Sequence, residues 1–146
     1  MLILRGDRLN IMVMDGQGGG IGAAIIKGLR ENIHDEVEIF ALGTNSIATS
    51  RMMKAGANRG ATGENAIIRT CQGVDIIIGP LAILMSNAMM GEVTSKMAEA
   101  VSSSEAKKIL IPLTQENVSL VGISREPLPH LVNQAIQMIK ETLDNV

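Results

Sequence analysis

The chain has 146 residues, enough for one ordinary core and too few for two. Hydrophobic residues make up 46% and charged ones 19%, a globular profile that excludes a disordered chain. A formal charge of −2, one Phe and no Tyr or Trp exclude a general attraction to nucleic acid or anionic lipid and remove aromatic platforms for stacking bases.

Residues 1–9 are expected as an extension preceding a single domain over 10–146. Charges interrupt the opening at Arg5, and no stretch approaches the ~20 apolar residues of a membrane span. A soluble cytoplasmic protein follows as the expectation. The single cysteine, Cys71, excludes an internal disulfide and any multi-cysteine metal site.

In chain order, "NIMVM" (10–14) reads as a buried strand, and Ile21, Ala24, Ile25 and Leu29 then follow helical spacing. "EVEIFAL" (36–42) is a second strand. "SIATSRMMKAG" (46–56) is a helix with Ser46 as N-cap and Gly56 as its stop. "NRGATG" (58–63) reads as loop and 64–73 as a short helix. "VDIIIGP" (74–80) is the clearest strand, closed by Gly-Pro. Residues 81–105 read as two helical pieces split near Gly91, with Thr94 capping the second. "KKILIPL" (107–113) and "VSLVGIS" (118–124) read as strands. A terminal helix carries Leu128, Leu131, Val132, Ala135, Ile139 and Leu143 on one stripe. This alternation predicts an α/β three-layer Rossmann-like domain: a mostly parallel sheet with helices on both faces.

The glycines fall between the first strand and its helix: Gly16, Gly18, Gly19, Gly20 and Gly22. There they permit a tight turn and close backbone approach, while the helix start directs N–H groups at a phosphate. Gly16-x-x-x-Gly20-Ile21-Gly22 matches the short-chain dehydrogenase spacing better than plain G-x-G-x-x-G. Packing of the helix on the sheet is the competing explanation, but one or two glycines would serve for that. NAD-binding domains carry an acid about 20 residues on, at the end of the second strand. Here that place reads Leu42-Gly43-Thr44-Asn45. With no Lys in the loop it is not a Walker loop, and with no Tyr anywhere short-chain dehydrogenase catalysis is unavailable.

Arg51, Lys54, Arg59 and Arg69 gather against Glu64 alone, either an anion pocket around "NRGATGEN" or a solvated face. His34 and His130 lack the spaced partners of a metal site, so no metal ligand is assigned. Cys71 reads as a buried inert thiol. Asp15, at the strand end, reads as a cap of the loop, with binding of a metal-nucleotide as its other reading. The Met-rich 85–97 stretch reads as core, partly covered by another copy of the chain.

The segments "MDGQGGGIG", "ALGTNSIATSRMMKAGANRGATGENAIIRTC", "VDIIIGP" and "KILIPLTQENVSLVG" together resemble a family of small bacterial proteins known as a domain of unknown function. The resemblance implies a Rossmann-like domain, mostly of anaerobic Firmicutes, and no activity. The order of elements also looks like the first half of the tubulin-like cell-division GTPases. That family's second phosphate loop would fall at Gly79-Pro80-Leu81-Ala82-Ile83, which is bulky and apolar.

The expected function is therefore binding of a small phosphate-bearing ligand, with a nucleotide or dinucleotide as the candidate cofactor, by a homo-oligomer. Gly16, Gly18, Gly19, Gly20 and Gly22 would admit the ligand and Gln17 would touch it. Thr44 and Asn45 would meet the sugar, and Arg59 and Thr62 an anionic group. The rivals are an enzyme using Glu64 or Glu92 as acid or base, and an interaction protein whose glycines only pack and whose interface is 81–97. No catalytic residue is assigned.

Overall fold

The computed structural model describes residues 8–34, 36–113 and 116–144. Among these residues five strands form one sheet: β1 (Leu9–Asp15), β2 (Val37–Gly43), β3 (Arg59–Thr62), β4 (Ile76–Pro80) and β5 (Lys107–Ile111). Their order is β3-β2-β1-β4-β5, and every pairing is parallel. The helices are α1 (Gly20–Asn32), α2 (Ser46–Lys54), α3 (Glu64–Cys71), α4 (Ser95–Ser103) and α5 (Leu128–Asp144).

Strand side chains alternate between faces, and here both faces are buried. Leu9, Ile11 and Val13 of β1 join Ile39, Ile76 and Ile78 under α1, α2 and α5. Met12, Met14 and Ile77 face the opposite layer with Ile67 of α3 and Met97, Ala98 and Val101 of α4. The result is a three-layer Rossmann-like domain. Because β1 lies between β2 and β4, the strand order reverses at β1, opening a crevice at the carboxyl ends of β1 and β4.

Several expectations are corrected. Residues 59–62 are not loop but the edge strand β3, paired with Phe40–Gly43 and exposed throughout. An edge strand with no core face leaves no apolar alternation to read. Residues 118–124 form no strand: Val118, Leu120, Val121 and Ile123 are exposed, without a strand neighbour to supply a ladder. The first expected helical piece shrinks to one 3-10 turn, Leu81–Leu84, followed by tight turns. Their backbone is left-handed at Asn87, Met89, Met90 and Gly91, which no helix accommodates. Ser46 does not cap α2. Asn45 does, its Oδ1 accepting the Ala48 N–H at 2.9 Å. Thr94 caps α4 as expected, accepting the Met97 N–H at 3.1 Å.

Over 81–97 the apolar side chains Ala82, Ile83, Ala88, Met89, Val93 and Met97 are buried, while Met90 stands out at 96% exposure and Ser86, Asn87, Ser95 and Lys96 are exposed. Leu9 opens β1, and the rest of the expected extension except Arg8 lies outside the described residues. Among the described residues no helix is long and apolar enough to cross a membrane.

Candidate functional site: the glycine turn and its carboxylates

The turn after β1 is closed from beneath. The Asp15 carboxylate is 3% exposed and accepts the Gly16 N–H at 2.8 Å through Oδ1 and the Gly22 N–H at 2.7 Å through Oδ2. The Gly19 N–H returns to the Gly16 carbonyl at 2.9 Å. Burial pushes the Asp15 carboxyl up from its ordinary value, against the opposing pull of the Gly22, Gly16 and Ile21 amides. Its place is that of the loop cap expected from the sequence.

The five glycines then separate by cause. A Cβ on Gly16 would lie 2.4 Å from Thr44 Oγ1 and 2.6 Å from Met89 Sδ. On Gly22 it would lie 2.4 Å from Met52 Sδ and 2.9 Å from Asp15 Cβ. Gly19 sits at φ +75°, and its Cβ would lie 2.9 Å from the Ala48 Cα. These three are required by packing or by backbone. Gly18 and Gly20 are not: a Cβ on either would meet only the Arg51 guanidinium, at 3.8 and 3.5 Å. Among the described residues their amides have no acceptor. Arg51 Nη1 donates to the Gly18 carbonyl at 3.3 Å, and among the described residues Arg51 has no acidic partner.

Across the crevice, the segment after β4 delivers Glu92. Its Oε1 accepts three hydrogen bonds: from the Gln17 N–H at 2.8 Å, Thr44 Oγ1 at 2.6 Å and Asn45 Nδ2 at 2.8 Å. Burial raises the Glu92 carboxyl, but the bonds from Thr44, Gln17 and Asn45 outweigh it and hold the group below its ordinary value. The segment itself is tied down by Asn87 N–H to the Val93 carbonyl at 2.7 Å and Val93 N–H to the Ala88 carbonyl at 3.1 Å. Two residues on, Thr94 Oγ1 donates to Glu64 Oε2 at 2.6 Å.

The structure thus gathers the glycines, Gln17, Thr44 and Asn45 around one point. It does not bring Arg59 there. Arg59 sits three residues below the carboxyl end of β3 and pairs with Glu38 at 2.9 Å. Thr62 Oγ1 is shared with Thr49 Oγ1 at 2.7 Å. The cation at the turn is Arg51, visible in the sequence only as one member of a basic cluster. Glu92 was visible as an isolated acid beside a glycine, and the 75-residue separation from Gln17 hid their contact. Cys71 is buried, and burial pushes its thiol up to about 11, as an inert core thiol requires. Among the described residues no group of three His, Cys, Asp or Glu is placed to hold a metal. A groove of about 320 Å³ lies elsewhere, between the end of β5, Gly122–Ser124 and α5, lined by Leu110, Ile123, Leu131 and Met138. It is largely apolar and shares no lining residue with the glycine turn.

A parallel five-stranded sheet with a glycine turn at the reversal of strand order defines a Rossmann-like α/β domain. The family model described as "Domain of unknown function (DUF3842)" matches residues 10–144, and the chain belongs to that family. No curated protein matches it. Among solved structures, the dodecameric FMN-dependent Ubix-like decarboxylase from Escherichia coli O157:H7 is similar at 15% identity and a TM-score of 0.45, with 94% of each chain covered. FMN and the dodecamer are properties of that protein. Neither match carries the tubulin-like likeness, and the turn after β4 holds the buried side chains of Ala82 and Ile83.

Proposed function

We propose that the chain binds a small phosphate-bearing ligand, of nucleotide or dinucleotide type, at the β1–α1 turn, as a homo-oligomeric binding or sensing protein of the cytoplasm. The observation that carries this reading is the pair Gly18 and Gly20. Among the described residues neither glycine is needed for packing, neither amide has an acceptor, and the space beside them holds a guanidinium that no acid pairs. The first turn of the 13-residue α1 adds its own positive end. An anion there would take two backbone N–H groups and a charge-assisted bond from Arg51.

The enzyme reading is less well supported. Glu92 converges on the turn, as a catalytic carboxylate would, but it is held ionised rather than raised toward neutrality. For the oligomer, the exposed apolar run at Val118, Leu120, Val121 and Ile123 is a better candidate interface than 81–97, whose apolar side chains apart from Met90 are buried or half-buried.

The test is a thermal-shift panel with inorganic phosphate, AMP, ATP, GTP, NAD, NADP, FAD and coenzyme A. A ligand at 100 times its dissociation constant adds about 2.7 kcal/mol of stability. Arg51→Glu abolishes the shift without changing the unliganded melting temperature. Silence across the panel overturns the reading.

A further inference from the structure

We infer that Glu92 is the acceptor that selects a hydroxyl-bearing phosphate ester at this site, standing in for the acid that the end of β2 lacks. This inference rests on the phosphate-binding reading above.

The geometry supports it in three ways. First, Glu92 is where such an acid belongs. Its Oε1 bonds Thr44 and Asn45, the residues immediately after β2, and the Gln17 N–H of the glycine turn. The end of β2 is where dinucleotide-binding folds place the carboxylate that accepts ribose hydroxyls. This chain brings the carboxylate from the other side of the crevice instead.

Second, only one of its two oxygens is used. All three donors converge on Oε1, and among the described residues Oε2 accepts nothing. Glu92 is partly exposed, and no buried side-chain oxygen among the described residues lacks a partner, so Oε2 is in contact with solvent. A carboxylate oxygen offers lone pairs and no proton, so it takes a donor. A ligand hydroxyl is such a donor, whereas a second phosphate oxygen would be repelled.

Third, the group is positioned in advance. Asn87, Met89 and Met90 are held at positive φ of 68°, 58° and 57°, and Ala88, Met89 and Val93 anchor the segment in the core. A strained, anchored loop carrying a fixed carboxylate fits a receptor whose geometry precedes its ligand. The anion cradle at Gly18, Gly20 and Arg51 and the acceptor at Glu92 share the same turn, separated by Gln17. The ligand class is a phosphate ester with free hydroxyls close to the phosphate.

The experiment measures dissociation constants of the natural chain and of Glu92→Gln for inorganic phosphate, AMP and 2′,3′-dideoxyAMP. Glutamine keeps an oxygen for the three donors and turns the free acceptor into an N–H₂ donor. The expected result is AMP binding ten- to hundredfold tighter than dideoxyAMP in the natural chain, about the range of a hydrogen bond to a charged group. In Glu92→Gln that preference falls to about threefold or less, while phosphate binding is retained. Equal binding of AMP and dideoxyAMP by the natural chain overturns the inference and leaves phosphate binding standing. Tighter binding of all three by Glu92→Gln also overturns it, since Glu92 would then be a plug rather than a receptor. Silence of all three with both chains overturns the inference, and silence across the whole panel above overturns the phosphate-binding reading itself.

Discussion

Asp15 Oδ2 accepts the Gly22 N–H at 2.7 Å across seven residues, and the same carboxylate takes the Gly16 N–H through its other oxygen. One buried side chain therefore ties both ends of the glycine turn to the end of β1. An asparagine there offers a single acceptor to two amides. Asp15→Asn is expected to cost about 1–3 kcal/mol, the penalty for a buried amide left unmatched. Urea unfolding of the two proteins measures it, and an unchanged midpoint would refute the clamp.

The glycines of the turn divide into those the fold needs and those it does not. Gly19→Ala places an L side chain at φ +75° against the Ala48 backbone and is expected to cost about 2 kcal/mol or more. Gly18→Ala is expected to stay within about 0.5 kcal/mol of the natural chain, since only the mobile end of Arg51 is near. Thermal unfolding of the pair checks the contrast. Equal losses would mean that Gly18 is structural after all.

Glu92 makes stability depend on pH. Its carboxyl is lower in the folded protein than its ordinary 4.5, so the folded state binds its proton less readily than the unfolded chain. The contribution is fully present above about 4.5 and is lost as pH falls through the folded value. The stability difference between the natural chain and Glu92→Gln should be flat from pH 6 to 8 and shrink on acidification below about 4.5. Asp15, shifted up, acts in the opposite sense, so each chain's total stability is a poorer readout than their difference. A difference that grows on acidification would contradict the assignment.

Val121 is fully exposed and Ile123 is 54% exposed, in a run with Val118 and Leu120. Sedimentation at micromolar concentration should give the natural chain a mass above 15.5 kDa, and Val121→Asp with Ile123→Asp should return it to that value. A natural chain that sediments as a monomer would remove the oligomer from the proposal.

Sheet and helices were legible in the sequence because burial on both faces writes continuous apolar runs such as 76–80 and a helical stripe such as 131–139. What escaped had a physical reason in each case. β3 buries nothing, so Arg59–Thr62 carried no pattern. The 118–124 run carried a strand's pattern without a neighbour to pair with. The cap of α2 fell on Asn45 rather than Ser46 because both residue types suit that role and only backbone geometry chooses. At the site, the glycine turn was plain, but its partners Glu92 and Arg51 depend on tertiary approach across the crevice and along α2. Arg59 was misplaced because its position on an edge strand, and with it the ion pair to Glu38, was invisible.

One rim of the sheet ends in Arg59–Thr62, four residues with a charge at the first and no bulky apolar side chain. So short a border, headed by a cation, offers little template for a foreign backbone to zip onto. Copies of this chain that assemble are then expected to meet away from that rim.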